Sequence, residues 1–122
     1  MVSILLTVNG KTFSGTLYDN KTVRTFIELL PLTTELKDLN NNEKYGVLNE
    51  SLPVQQEQVK SIKKGDLMLF GTDTFVLFYK SFTTTYPYTR LGVLDHTENL
   101  SSTLGKEKAV ISVERIDGPF SV

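Results

Sequence analysis

The chain has 122 residues, 39% of them hydrophobic and 22% charged, which suits one domain with a real core and excludes a disordered chain. Lys plus Arg is 13 and Asp plus Glu is 14, so the net charge of −1 excludes a domain that grips nucleic acid through a strongly basic surface. With no Cys and one His, disulfides, a thiol nucleophile and any metal site needing two His ligands are excluded, and no cofactor is expected.

The apolar run inside 2–8 is too short for a signal-peptide core or a membrane span and lacks a basic leader, so the expected location is the cytoplasm. Residues 3–8 alternate, with Ile4, Leu6 and Val8 on one side, and 12–18 return with Phe13 and Leu17 on a common face. Asn9-Gly10 between them is a two-residue hairpin turn, because both positions tolerate positive φ. Asp19 and Asn20 are both capable N-caps. Val23, Phe26, Ile27 and Leu30 then form one apolar stripe, predicting a helix of about three turns that Pro31 ends.

Leu32 to Leu39 alternates as a half-buried strand, with Leu32, Thr34 and Leu36 on one face and Thr33, Glu35 and Lys37 on the other. Asn40-Asn41-Asn42 is a turn, and Tyr45 to Leu48 a short strand. Asn49 to Lys64 is polar and reads as a long surface connection with one short strand near Gln58. Beyond the Lys63–Asp66 turn, Leu67–Phe70 and Thr74–Lys80 are the most hydrophobic strands, joined at Gly71-Thr72-Asp73. Ser81 to Tyr88 reads as a loop and Thr89 to Leu94 as a strand. Asp95 and Glu98 form a capping-box pair for a short helix ending at Gly105. Ala109 to Ile116 is the last strand, ended by Gly118-Pro119.

About eight strands and two short helices result. Consecutive antiparallel strands of this length are expected to close, because closure removes exposed edges. The expected fold is therefore mainly β: a closed eight-stranded antiparallel barrel with two short helices, one domain over residues 1–122.

Seven of the twelve aromatic residues fall within 70–88: Phe70, Phe75, Phe78, Tyr79, Phe82, Tyr86 and Tyr88. The Phe residues are expected in the core of two central strands. Tyr86 and Tyr88 lie in a stretch read as a polar loop, where large rings either plug a barrel end or wall a cleft with Arg90 and Lys80. The candidate ligand-binding residues are Glu35, Phe70, Phe78, Lys80, Phe82, Tyr86, Tyr88 and Arg90. The rings would supply an apolar wall, Arg90 an anion or carbonyl contact, and Lys80 or Glu35 a charge on the rim. No catalytic residue is expected. His96 has no signalled nucleophile beside it and reads as a surface residue, and the serines lack a nucleophile-elbow context. Gly10-Lys11-Thr12 mimics the end of a phosphate loop, but Leu5 stands where the first Gly belongs and a hairpin surrounds it.

The order of elements resembles the cyclophilin-like fold. Gly65-Asp66-Leu67-Met68-Leu69-Phe70-Gly71, Val76-Leu77-Phe78-Tyr79-Lys80-Ser81-Phe82 and Tyr88-Thr89-Arg90-Leu91-Gly92 resemble a family of small bacterial cyclophilin-like proteins, with likeness from about Ile4 to Ile116. The resemblance implies an eight-stranded barrel with two end helices and implies no activity. Cyclophilins that isomerise prolyl bonds carry a Phe-His-Arg run on the strand after the first helix. Residues 32–39 hold neither His nor Arg. Their Gln-x-x-x-Gly-Gly-Asp-type segment is also missing. The Arg is what weakens the C–N double-bond character during amide rotation.

The leading expectation is therefore a binding domain for a small molecule or short peptide, without isomerase activity. The alternatives are a prolyl isomerase with a rearranged site built around Arg90, and a protein-interaction module that pairs with itself as a homodimer or with a neighbour through an exposed strand or the aromatic loop.

Overall fold

The computed structural model describes residues 1–116; the expected strand end at Gly118-Pro119 lies outside them. Elements follow in chain order: β1 (Val2–Val8), β2 (Lys11–Leu17), α1 (Lys21–Phe26) with a 3₁₀ turn (Ile27–Leu29), β3 (Leu32–Leu39), β4 (Glu43–Val47), β5 (Glu57–Gln58), β6 (Ser61–Ile62), β7 (Asp66–Phe70), β8 (Thr74–Phe78), β9 (Phe82–Thr83), β10 (Pro87–Leu94), α2 (Leu100–Leu104) and β11 (Ala109–Arg115). Eight of these strands form the barrel, in the order β2-β1-β11-β3-β4-β8-β7-β10, and β10 pairs back onto β2 to close it. Every pairing is antiparallel. The expected closed barrel is what forms. No described helix is long and apolar enough to cross a membrane.

Two glycines explain how the barrel closes. Gly15 faces Leu94 and Gly92 faces Leu17 across the closing pair. A Cβ on Gly92 would stand 2.3 Å from the Thr16 carbonyl oxygen, and one on Gly15 2.8 Å from the Val93 carbonyl oxygen. Only a residue without a side chain lets the two backbones come this near. A bulge between Arg90 and Gly92 adds curvature to β10 at the same place.

The interior is filled by inward-facing residues, among them Ile4, Leu6, Leu17, Leu36, Leu67, Leu69, Phe75, Leu77, Leu91, Ile111 and Val113, each at most 1% exposed. Helix α1 closes one end. Asn20 caps it, its side-chain oxygen accepting from the Val23 N–H at 2.8 Å, and Phe26 stacks on Phe75 with ring centres 5.8 Å apart. Leu100 and Leu104 of α2 close the other end, where Asn9 donates to the Thr103 carbonyl at 2.8 Å.

Four local expectations need correction. The first helix has six α residues and a tighter 3₁₀ turn rather than three full turns; Ile27 and Leu30 are only partly buried. The fourth strand begins at Glu43, not Tyr45. Residues 81–88 are not one loop: Phe82–Thr83 pairs with Ser61–Ile62, and Pro87 and Tyr88 already belong to β10, opposite Gln58 and Glu57. Proline is tolerated there because it is the strand's first residue. The Asp95–Glu98 capping box does not form. The Asp95 N–H is held by the Ser14 carbonyl at 2.8 Å, so the chain stays on the barrel, and His96 turns through a left-handed conformation (φ 51) before the helical turn starts.

Candidate functional site

The strands β8, β7 and β10 have two apolar faces. Leu67, Leu69, Phe75, Leu77 and Leu91 point into the barrel. Met68, Val76, Phe78 and Tyr88, on alternate positions of the same strands, point outward. A sheet face this apolar must be covered. The segment 57–62 and the ribbon formed by β6 and β9 cover part of it: Val59, Ile62 and Phe82 pack with Met68, Val76, Phe78 and Tyr88 as a second, smaller core outside the barrel.

The cover is incomplete. Between the ribbon, the Asn40–Asn42 turn and the 83–86 segment lies a cleft of about 980 Å³. Its lining includes Tyr45, Phe70, Phe82, Tyr86 and Tyr88, with Val76 on the floor. The rings touch in sequence. Tyr86 meets Phe70 edge-on at 6.3 Å between centres, Phe70 meets Tyr88 at 5.7 Å, Tyr88 meets Phe78 at 5.4 Å and Phe78 meets Phe82 at 5.7 Å. Phe78 and Tyr88 are buried, whereas Phe70 is 44% and Tyr86 62% exposed. Two large rings thus stand in water beside an apolar cavity.

The polar groups of the cleft are few. Glu43 sits in its wall at the start of β4, 8% exposed. Among the described residues its carboxylate has no hydrogen bond or ion pair. Burial raises its pKa, and the nearby charge of Asp38 raises it further. The Tyr88 hydroxyl is pushed up to about 12, first by burial, then by the Glu43 charge and by Tyr86. Tyr88 therefore remains a neutral phenol. Lys60 is the cation among the lining residues and is exposed on the rim. Among the described residues, no three His, Asp or Glu side chains converge as metal ligands.

Of the residues singled out in the sequence, Phe70, Phe82, Tyr86 and Tyr88 come together along the cleft, and Phe78 supports them from beneath. The other three lie elsewhere. Arg90 is on the outer face of β10, opposite Met68, with its Nε 3.4 Å from the Glu57 carboxylate. Glu35 is exposed on β3 and pairs with Lys108 at 3.2 Å. Lys80 lines a separate hollow of about 610 Å³ near α2, with Tyr79, Ser101 and Lys106. Sequence reasoning missed Glu43, Tyr45 and Lys60. The signal for the first two is the alternation Glu43, Tyr45, Val47, which the adjacent charges Glu43-Lys44 disguise as a turn.

A family model, that of the cyclophilin-like family, matches residues 6–114. No curated protein and no solved structure matches the chain. The chain belongs to the cyclophilin-like family.

Proposed function

We propose that this protein is a binding domain that holds a small molecule or short peptide in the aromatic cleft, without isomerase chemistry. The observation that carries this reading is the cleft itself. Its volume, about 980 Å³, is of the size that small ligands occupy, and its walls are ring faces with a few polar groups among them. The exposed rings of Phe70 and Tyr86 would leave water on binding, which favours association.

The chemistry argues for binding over isomerisation. Assisting amide rotation takes a cationic donor fixed against the proline region in an apolar pocket. Arg90 does not line the cleft and its guanidinium faces Glu57. Lys60 is exposed on the rim, on a flexible stem, and is not fixed in this way.

Titration with a short Ala-Pro peptide, followed by amide NMR with exchange spectra between its cis and trans forms, tests this. The expected result is shifts at Tyr45, Phe70, Phe82, Tyr86 and Tyr88 with no protein-dependent exchange peaks. Exchange peaks that appear only with protein would overturn the non-isomerase part. Absence of shifts with the peptide and with a panel of aromatic small molecules would overturn the binding reading.

A further inference from the structure

We propose that the cleft selects cationic ligands, with Glu43 taking the ammonium group of an organic amine whose apolar body lies against Phe70, Phe82, Tyr86 and Tyr88. This inference rests on the cleft being a binding site, as proposed above, and assigns its ligand a chemical class.

The other buried ionic groups among the described residues, Lys44 and Asp66, have partners. Lys44, fully buried, is 3.1 Å from the Asp38 carboxylate and donates to the Glu107 carbonyl at 2.6 Å. Asp66, 6% exposed, accepts from the Lys63 N–H at 2.8 Å. Glu43 is 8% exposed, close to Asp66, yet no described donor reaches its carboxylate. Its oxygens keep contact with solvent through the cleft, but most of the side chain's exposure is lost, and a carboxylate so placed is only partly hydrated. The protein tolerates this at the wall of a cleft that opens to solvent. A ligand that fills the cleft expels the remaining water, so it must itself supply the donor.

An ammonium group suits that role better than a neutral donor or an anion. It brings N–H donors and the opposite charge, and charge-assisted hydrogen bonds are the stronger kind. The surroundings favour it as well. Tyr45, Phe82 and Tyr88 line the same cavity, and aromatic rings attract cations through their quadrupole. Lys60 opposes it only from the rim, where water screens its charge. An anionic ligand would meet Glu43 at short range in a poorly solvated wall and would be rejected.

The probes are 2-phenylethylammonium and its neutral counterpart 2-phenylethanol, titrated calorimetrically and by amide NMR near neutral pH. The expected result is affinity for the ammonium about ten-fold higher or more than for the alcohol, with shifts at Glu43, Tyr45 and Tyr88. Glu43→Gln keeps the shape of the side chain and removes its charge. It is expected to bring the two affinities together, chiefly by lowering that of the ammonium. Amide spectra of the free variant check that it folds, and a Glu43→Asp protein, expected to retain part of the preference, is the second test. Equal affinity of the two probes for the unaltered protein would overturn the inference and leave the aromatic cleft standing. So would a preference that survives in Glu43→Gln. Binding of neither probe would overturn the inference, and the binding reading would fall with it only if the Ala-Pro peptide and the aromatic panel also left the amide spectrum unshifted.

Discussion

Glu43 and Lys44 are neighbours on β4, both buried, and their side chains project on opposite faces of the strand. Lys44 enters the end of the barrel. There its ammonium meets the Asp38 carboxylate and the Glu107 carbonyl and lies 5.4 Å from the centre of the Tyr79 ring. The Tyr79 hydroxyl donates to the same carboxylate. Glu43 faces the outer cleft and has none of this. The difference separates two uses of a buried charge. Inside the barrel the protein has completed the hydrogen bonds with its own groups, and the charge fixes the packing of the barrel end. Outside, the bonding capacity is left open, as the proposed binding role requires.

The largest effect is expected inside. Asp38→Asn removes the anion while Lys44 stays buried, and breaking a buried pair from one side costs about 3–5 kcal/mol. Urea unfolding monitored by circular dichroism should show a correspondingly lower midpoint. The pH dependence has a definite sign. Burial pushes the Asp38 pKa up, but the hydrogen bonds from Tyr79 and Lys44 outweigh it, and the net shift is downward from 3.8. The native state therefore holds this proton less tightly than the unfolded chain. The stabilisation is fully present above pH 3.8 and is lost as the pH falls through the lowered native value. Asp38→Asn should lack that component of the acid transition. A variant as stable as the original protein would break the comparison, since it would make the inner cluster as dispensable as the outer carboxylate.

Glu43 should behave in the opposite way. Its native pKa lies above the ordinary 4.5, raised by burial and then by Asp38. The native state now holds the proton more tightly than the unfolded state. Stability from this group is greatest below pH 4.5 and declines as the pH rises through the raised native value. Glu43→Gln abolishes the ionisation. It should make the protein more stable at neutral pH, with the advantage fading in acid. Unfolding midpoints of both proteins, measured across that range, check the sign. Stabilisation by loss of a charged side chain is the expected mark of a residue kept for binding at some cost in stability.

The contrast between the two faces also explains what could be read from the sequence. Closure was legible because the first strands alternate: Ile4, Leu6 and Val8 on β1 and Leu36 on β3 announce their inward face, and Asn9-Gly10 fixes the first hairpin register at Val8 opposite Lys11. The strand order was not, because β11 inserts between β1 and β3 and β8 pairs with β4, so most neighbours in the barrel are distant in the chain. The concentration of rings in 70–88 was legible as well. What it could not show was which rings would be covered. Tyr88 reads as a loop residue because Pro87 precedes it, yet it is paired and buried, whereas Tyr86 two residues earlier is exposed. The cover comes from 57–62, a stretch whose two short strands have almost no pattern of their own. Glu43 stayed hidden for a related reason. Two adjacent charges look solvated unless the strand is known to have an apolar layer on both sides.

The smallest effect is expected at Arg90. In the sequence it stands beside the rings and looks like the polar anchor of their cleft. In the structure β10 presents it opposite Met68, toward Glu57, and that strand β5 residue pairs with Tyr88 across the ladder. The Arg90 and Glu57 side chains are 35% and 53% exposed, and pairs so open to water contribute at most about 1 kcal/mol. Arg90→Ala should therefore shift the urea midpoint only slightly. The affinity of 2-phenylethylammonium should not change, because the guanidinium is absent from the cleft lining. The two measurements separate proximity in sequence from proximity in space. A large loss of affinity with little loss of stability would mean that Arg90 swings from Glu57 to the ligand. The cleft would then hold an anion-binding group opposite Glu43, and its ligands would have to carry both charges.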